Sequence, residues 1–182
     1  YDNEDIIIEY NGSNTVKARY THGPGIDEPL AVQKGYAWEY FCYHADGLGS
    51  IVAMTTALGL KVKTYSYDAF GRITESGIGG GDNSYTYTAR EYDSETGLYY
   101  YRARYYDPTT GRFITRDPVK GFLRIPQTQN PYPYVLNNPI NLSDPSGENP
   151  FVMKCLEVGQ QIATKWPSKV DGPQVINKIQ YT

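Results

Sequence analysis

Few side chains in this sequence stand in a pattern that could do chemistry. The two histidines, His22 and His44, form no HxH or HExxH spacing. Surface or packing roles are therefore expected for them, with no metal ion and no cofactor. No serine sits in a nucleophile elbow, so a Ser-His-Asp triad has no support. Cys42 and Cys155 stand far apart and outside any CxxC pair. That spacing excludes a thiolate zinc site and a redox motif, and leaves open a disulfide or two buried thiols. The Gly79-Gly80-Gly81 tract is followed by no Lys-Ser/Thr and opens no helix, so it reads as a hairpin loop rather than a phosphate cradle. Tyr99-Tyr100-Tyr101 with Arg102 and Arg104 has the residue types of a base-stacking platform. Alternating strand faces and a net charge of −3 argue instead for core and sheet packing, with no basic stripe to neutralise phosphates and no nucleic acid as partner. Asp117 and Asp144 each precede a proline, and on residue type alone Asp-Pro is an ordinary turn starter.

The elements that must position these groups are strands. Tyrosine is the compositional outlier, at 19 residues against 5 Phe and 2 Trp. A tyrosine favours strands and can keep its hydroxyl wet above a buried ring, so an all-β, half-exposed sheet is expected. One unit recurs: Tyr67-Asp68-Ala69-Phe70-Gly71-Arg72-Ile73-Thr74, again as Tyr106-Asp107-Pro108-Thr109-Thr110-Gly111-Arg112-Phe113-Ile114, and more loosely from Tyr92 to Tyr99. Each copy reads as a β-hairpin in which Asp caps the turn through its side chain and Gly supplies a positive φ. Lys61–Tyr67 and Ser84–Thr88 alternate at period 2, which predicts one apolar and one wet face for each. Ile6–Tyr10, a turn at Asn11-Gly12 and Thr15–Tyr20 predict a further hairpin. Such hairpins bury their faces by stacking into a continuous sheet. From Pro126 to Pro150 the chain is rich in Pro and Asn and reads as ordered but irregular. Asn149-Pro150 then suits a helix start, and Val152, Leu156, Gly159, Ala163 and Trp166 recur at helical spacing. One short α-helix is expected near 151–166, followed by an extended tail. No run of about 18 apolar residues is present, so no membrane span is expected. The chain opens at Tyr1 rather than at a Met; it reads as a piece of something longer, with any targeting signal outside it.

These residues resemble a known family. Tyr67-Asp68-Ala69-Phe70-Gly71-Arg72 looks like the YD repeat, and Ala89–Pro118 closely resembles the Rhs repeat-associated core. Tyr43–Ser50, Asn137-Asn138-Pro139 and Asp144-Pro145-Ser146-Gly147 are similar to that family's flanking signatures. The resemblance covers residues 1–147, which form one module, with 148–182 as a short C-terminal extension. It implies a large shell of spiralling β-hairpins that encloses a C-terminal polypeptide, a toxin or effector in relatives. It also implies a core that plugs the shell and cuts its own chain just after a DPxGL sequence. Here that stretch reads Asp144-Pro145-Ser146-Gly147-Glu148. Glutamate replaces the leucine, and the bond at stake is Glu148–Asn149, flanked by Gly147.

Hydrolysing a peptide bond takes an activated water and a proton for the leaving amine, and two close carboxylates that share one proton supply both. The resemblance maps that pair onto Asp117 and Asp144, with Arg104 orienting them. The activity so implied is at most a single-turnover aspartyl autoprotease. The expected partners are the rest of an Rhs shell and an enclosed cargo, or further copies of this chain pairing through open sheet edges. The expected location is secreted or on a bacterial cell surface. The 35 residues from Glu148 to Thr182 are too few for a typical enzyme domain. A second reading is an extracellular structural or adhesive module that assembles through its sheet edges without protease activity.

Overall fold

The computed structural model describes residues 5–35, 39–121, 123, 126–148 and 152–153. Seven strands follow one another as an antiparallel meander: β1 (Ile8–Tyr10), β2 (Val16–His22), β3 (Pro29–Lys34), β4 (Glu39–Ala45), β5 (Ile51–Thr56), β6 (Lys61–Tyr67) and β7 (Ile73–Gly77). A second sheet is built from β8 (Glu91–Asp93), β9 (Leu98–Tyr101), β10 (Arg104–Asp107) and β11 (Arg112–Phe113), in the order β11-β10-β9-β8. Two short strands, β12 (Leu142–Ser143) and β13 (Val152–Met153), pair with each other. The all-β architecture of consecutive hairpins is therefore as expected.

The turns explain why the hairpins form. In the β4–β5 turn Asp46 Oδ1 accepts from the N–H groups of Leu48 and Ser50, both at 2.9 Å. In the β6–β7 turn Asp68 Oδ1 does the same for Phe70 and Arg72, again at 2.9 Å. Asp93 and Asp107 grip the backbone two residues on at 2.9 Å and 2.8 Å. Each aspartate thus replaces a strand partner where the ladder stops. Gly71, with φ 87°, turns the chain back in a region that a side chain occupies only at a cost.

Each sheet has its own core. Ala18, Tyr20, Val32, Phe41, Tyr43, Ile51, Met54, Tyr65 and Tyr85 pack on the seven-stranded sheet. Tyr87, Tyr99, Tyr101, Tyr106, Phe113, Tyr134 and Val135 form the second, largely aromatic core, and Tyr67 touches both. These rings meet edge-on or tilted, as Tyr101 does on Phe113 with centroids 5.8 Å apart at 87°, the geometry that the ring quadrupole favours. The expectation of wet hydroxyls fails here. Tyr87, Tyr106 and Tyr99 donate to three successive carbonyls of the β6–β7 turn, those of Ala69 at 3.1 Å, Phe70 at 2.7 Å and Gly71 at 2.9 Å. Phenols that satisfy backbone acceptors need no water, so whole tyrosines go inside.

Two further expectations are corrected. Ser84–Thr88 is no half-wet strand. Every residue from Tyr85 to Arg90 is buried, and Tyr87–Ala89 makes a 3₁₀ turn. The segment crosses between the cores, with the Thr86 carbonyl on the Ile51 N–H at 2.9 Å and the Thr88 N–H on Ser50 Oγ at 3.0 Å. Its dry environment overrides the period-2 pattern. Val152–Met153, placed in the expected helix near 151–166, is instead extended and paired with Leu142–Ser143; a neighbouring strand offers these residues a ladder. The rest of that helix and the tail lie outside the described residues. Cys42 is a free, half-buried thiol in β4, while Cys155 lies outside the described residues. Among the described residues no helix is long and apolar enough to cross a membrane.

Candidate functional site

The site forms where the β9–β10 hairpin meets the segment after β12. Arg104 begins β10, and its inward face is set by the pairing of Arg104 with Tyr101. Its guanidinium lies over the Phe113 ring, 3.6 Å from the centroid, which fixes the plane of the fork. From there Arg104 Nη2 reaches Asp117 Oδ2 at 2.8 Å and Asp144 Oδ2 at 3.4 Å. One nitrogen thus holds both carboxylates, whose nearest oxygens can be no more than about 6 Å apart, within strong electrostatic range. Arg104 Nη1 donates to the Pro131 carbonyl at 3.0 Å, and Nε donates to the carbonyl of Gly147. The side chains of Arg104, Asp117 and Asp144 are 2%, 12% and 1% exposed. A charge triad this dry survives only because each member is paired.

Asp144 is held by its own loop. Its Oδ1 accepts from the Gly147 N–H at 2.9 Å and from Ser146 Oγ at 3.2 Å. Asp117 Oδ1 accepts from the Val119 N–H at 2.8 Å. Burial pushes the Asp117 carboxyl above its ordinary range. The Val119 N–H and the Arg104 charge pull it back, and the Glu148 charge pushes it further up. Burial also lowers Arg104 from its ordinary value, against the upward pull of both aspartates. Asp117 and Glu148 line a narrow cleft of about 30 Å³ together with Pro131, Asn130 and Lys120. That is room for a water molecule.

Gly147 has φ 69°, and a Cβ there would stand 2.0 Å from the Tyr101 carbonyl oxygen. The loop therefore lies directly on the β9–β10 hairpin, a closeness that only glycine permits. Asp117, Asp144 and Arg104, expected together, are together. Gly147 and Glu148 adjoin them, while Asn149 lies outside the described residues. Arg102 and Ser146 join this setting without having been expected there. Arg102 Nη1 donates to the Pro145 carbonyl, and Ser146 Oγ accepts from the Glu148 N–H at 3.2 Å. The Arg-Ala-Arg spacing around a two-residue turn was the available signal for Arg102. The histidines stand elsewhere: His22 Nε2 lies 3.0 Å from the Ile6 carbonyl, and His44 Nε2 lies 2.9 Å from Thr55 Oγ1.

A meander of Asp-gripped hairpins, closed by a small aromatic sheet with a buried arginine and two aspartates, defines a YD-repeat shell segment. The Teneurin YD-shell family model matches residues 9–140. The chain belongs to the Rhs/YD-repeat shell family. The tRNA nuclease WapA of Bacillus subtilis strain 168 is 37% identical over 148 residues, covering 80% of this chain and 6% of WapA. Salivary gland surface protein 1 of Aedes aegypti is 34% identical over 152 residues, covering 80% of this chain and 4% of that protein. Among solved structures, TcdB2-TccC3-Cdc42 superposes with a TM-score of 0.63 at 24% identity, over 78% of this chain and 7% of that one. TcdB2-TccC3 without its hypervariable C-terminal region gives 0.61 at 24% identity, over 74% of this chain and 7% of that one. These two likenesses are likenesses of fold. The chain spans a small fraction, 6% or less, of the two curated relatives named.

Proposed function

We propose that this segment is the shell-closing core of an Rhs-type secreted protein, and that it cuts its own backbone once, between Glu148 and Asn149. The observation that carries the reading is the Arg104 fork, which joins Asp117 and Asp144 and also takes the carbonyl of Gly147, one residue before the bond. A water in the cleft beside Asp117 attacks the Glu148 carbonyl carbon and gives a proton to the carboxylate pair. The proton the pair already shares goes to the Asn149 nitrogen, the C–N bond breaks, and the products are a new carboxyl on Glu148 and a new amine on Asn149. The upward push on Asp117, from burial first, makes its carboxylate a readier proton acceptor than an ordinary exposed one. Arg104 orients the two acids and offsets the negative charge that the proton-sharing pair carries. The polypeptide after Glu148 then stays inside the shell as detached cargo. Similarity to a tRNA nuclease and to TccC3-containing assemblies supports a toxin-related setting, outside the producing cell or on its surface.

The test is the intact mass of the 182-residue chain under denaturing conditions, beside Asp144→Asn and Asp117→Asn. Two pieces divided after Glu148 in the parent, and one whole chain in each variant, are expected. A whole parent chain defeats the protease reading. The structural alternative keeps one specific support: among the described residues β1 and β7 are the unpaired edges of the seven-stranded sheet, with Ile8, Tyr10 and Ile78 exposed at or near them. A whole chain that runs as a large assembly in solution supports that second reading.

A further inference from the structure

The turn between β9 and β10 consists of Arg102 and Ala103, and Arg102 sits at φ 59°. Two-residue hairpin turns give such a position to Gly or Asn, because a longer side chain is strained there. Strain of this kind persists only where surrounding contacts enforce it. The contacts here run in register. Arg102 Nη1 donates to the Pro145 carbonyl, the Ala103 N–H donates to the Ser146 carbonyl at 3.3 Å, and Arg104 Nε donates to the Gly147 carbonyl. Three consecutive residues, the two of the turn and the first of β10, hold three consecutive carbonyls of the segment that leads to Glu148.

The other arm of the Arg102 fork points away from the site. Its Nη2 lies 2.9 Å from Asp27 Oδ1, with Asp5 Oδ1 at 3.9 Å. Asp27 belongs to the loop between β2 and β3, itself in a left-handed conformation at φ 55°. The same Asp27 oxygen also pairs with Arg90 Nη1. Arg90 is anchored by its Nε and Nη2 on the Tyr100 carbonyl at 3.0 Å and 2.8 Å. One guanidinium thus spans from a loop of the seven-stranded sheet to the segment carrying the proposed cut.

We propose that Arg102 is a positioning residue that sets the register of Asp144–Glu148 against Arg104 and Asp117, and that Asp27 holds it in that role. Cutting then waits until the β2–β3 loop has docked on the second sheet. The effect on cutting rests on the self-cleavage reading above; the ordering of the loop does not. The fork geometry matters, because an ammonium is a point charge and reaches one partner, whereas a guanidinium serves both.

The experiment uses the full chain with two readouts. The first is the rate at which the whole chain splits after dilution from denaturant, read by intact mass. The second is hydrogen exchange at the amides of Ala103 and residues 146–148, in an Asp117→Asn background that stays whole. The variants are Arg102→Gly, Arg102→Lys and Asp27→Asn, with unfolding midpoints measured alongside. Glycine suits the turn backbone, so Arg102→Gly removes the fork without straining the hairpin. We expect Arg102→Gly and Asp27→Asn to slow cutting about 10- to 100-fold, as displaced reacting groups do, and to lose exchange protection at 146–148. Arg102→Lys should fall between parent and Arg102→Gly in both readouts. Parental cutting in Arg102→Gly overturns the proposal, whatever the exchange reads. Slow cutting in Arg102→Gly with parental cutting in Asp27→Asn overturns the coupling to the β2–β3 loop. If the parent never splits, the self-cleavage reading fails by itself, and exchange decides: protection lost in both variants upholds the positioning, and protection unchanged overturns it.

Discussion

Two loops of this molecule are gripped in the same way by different chemistry. The carbonyls of Ala69, Phe70 and Gly71 are held by the phenols of Tyr87, Tyr106 and Tyr99. Those of Pro145, Ser146 and Gly147 are held by Arg102, the Ala103 N–H and Arg104. The first grip uses neutral donors rooted in an aromatic core, and burial pushes all three phenols above their ordinary value. It keeps its form from acid to neutral pH. The second grip uses cations whose charge is balanced by Asp27, Asp117 and Asp144. Its strength depends on charged groups that stand far apart in sequence. A joint that must only hold can be neutral, while the proposed proton transfer would draw on the charged one.

The comparison is broken most severely at Arg104. Arg104→Leu leaves Asp117 and Asp144 buried without their cation, and removing one member of a buried ion pair costs about 3–5 kcal/mol. Denaturant unfolding at pH 7 should show that loss. The gap to the parent should narrow as pH falls, because protonation relieves two acids that no longer have a cation. A gap that stays constant down to acid pH would mean that the triad contributes by packing and not by charge.

Gly147→Ala attacks the same grip through shape. A Cβ at Gly147 meets the Tyr101 carbonyl oxygen at 2.0 Å, whereas one at Gly12 meets nothing within 4 Å. The first change should cost more than about 2 kcal/mol, from a positive φ and a backbone clash combined. Gly12→Ala should be neutral or slightly stabilising, by up to about 1 kcal/mol. Equal midpoints for the two variants would show that the Asp144–Glu148 loop does not lie on the hairpin. The neutral grip is weaker per contact. Tyr106→Phe removes a donor from the Phe70 carbonyl at 2.7 Å and should cost about 1–2 kcal/mol, by the same amount at pH 5 and pH 8.

The two grips were not equally legible in the sequence. The Asp68–Arg72 turn could be read directly, since an aspartate capping the backbone and a glycine at positive φ are local chemistry. The burial of tyrosines above that turn could not, because it depends on Ala69–Gly71 carbonyls approaching from another sheet. Arg104, Asp117 and Asp144 were found through a family resemblance; spacing alone left each Asp-Pro as a turn. The assembly of the three depends on Pro131, Phe113 and the β9–β10 turn closing around them, and these contacts are non-local. Ser84–Thr88 shows the opposite failure. Its period-2 pattern is clear, yet the segment bends, because Ser50 and Ile51 take up its backbone groups. Arg102 has the sequence context of a packing residue, since nothing near it in sequence points to Asp27.

The smallest expected effect sharpens the comparison at the rim of the charged region. Glu91, in β8, has its carboxyl raised from the ordinary value. Burial is the main cause; Arg90 and Arg102 pull it down, while Asp5 and Asp27 push it up. A carboxyl with a raised folded pKa binds its proton more tightly in the native state than in the unfolded chain. Stability from that proton is therefore fully present below the unfolded pKa and is lost as pH rises through the folded one. Glu91→Gln removes this slope while keeping the shape. The variant should match or exceed the parent at pH 7, and its advantage should shrink as pH falls below the ordinary carboxylate range. A variant less stable than the parent at pH 7 would reverse the sign. The pull of Arg90 and Arg102 would then outweigh burial, and Glu91 would belong to the network that links Asp27 to the Pro145–Gly147 loop rather than lie beside it.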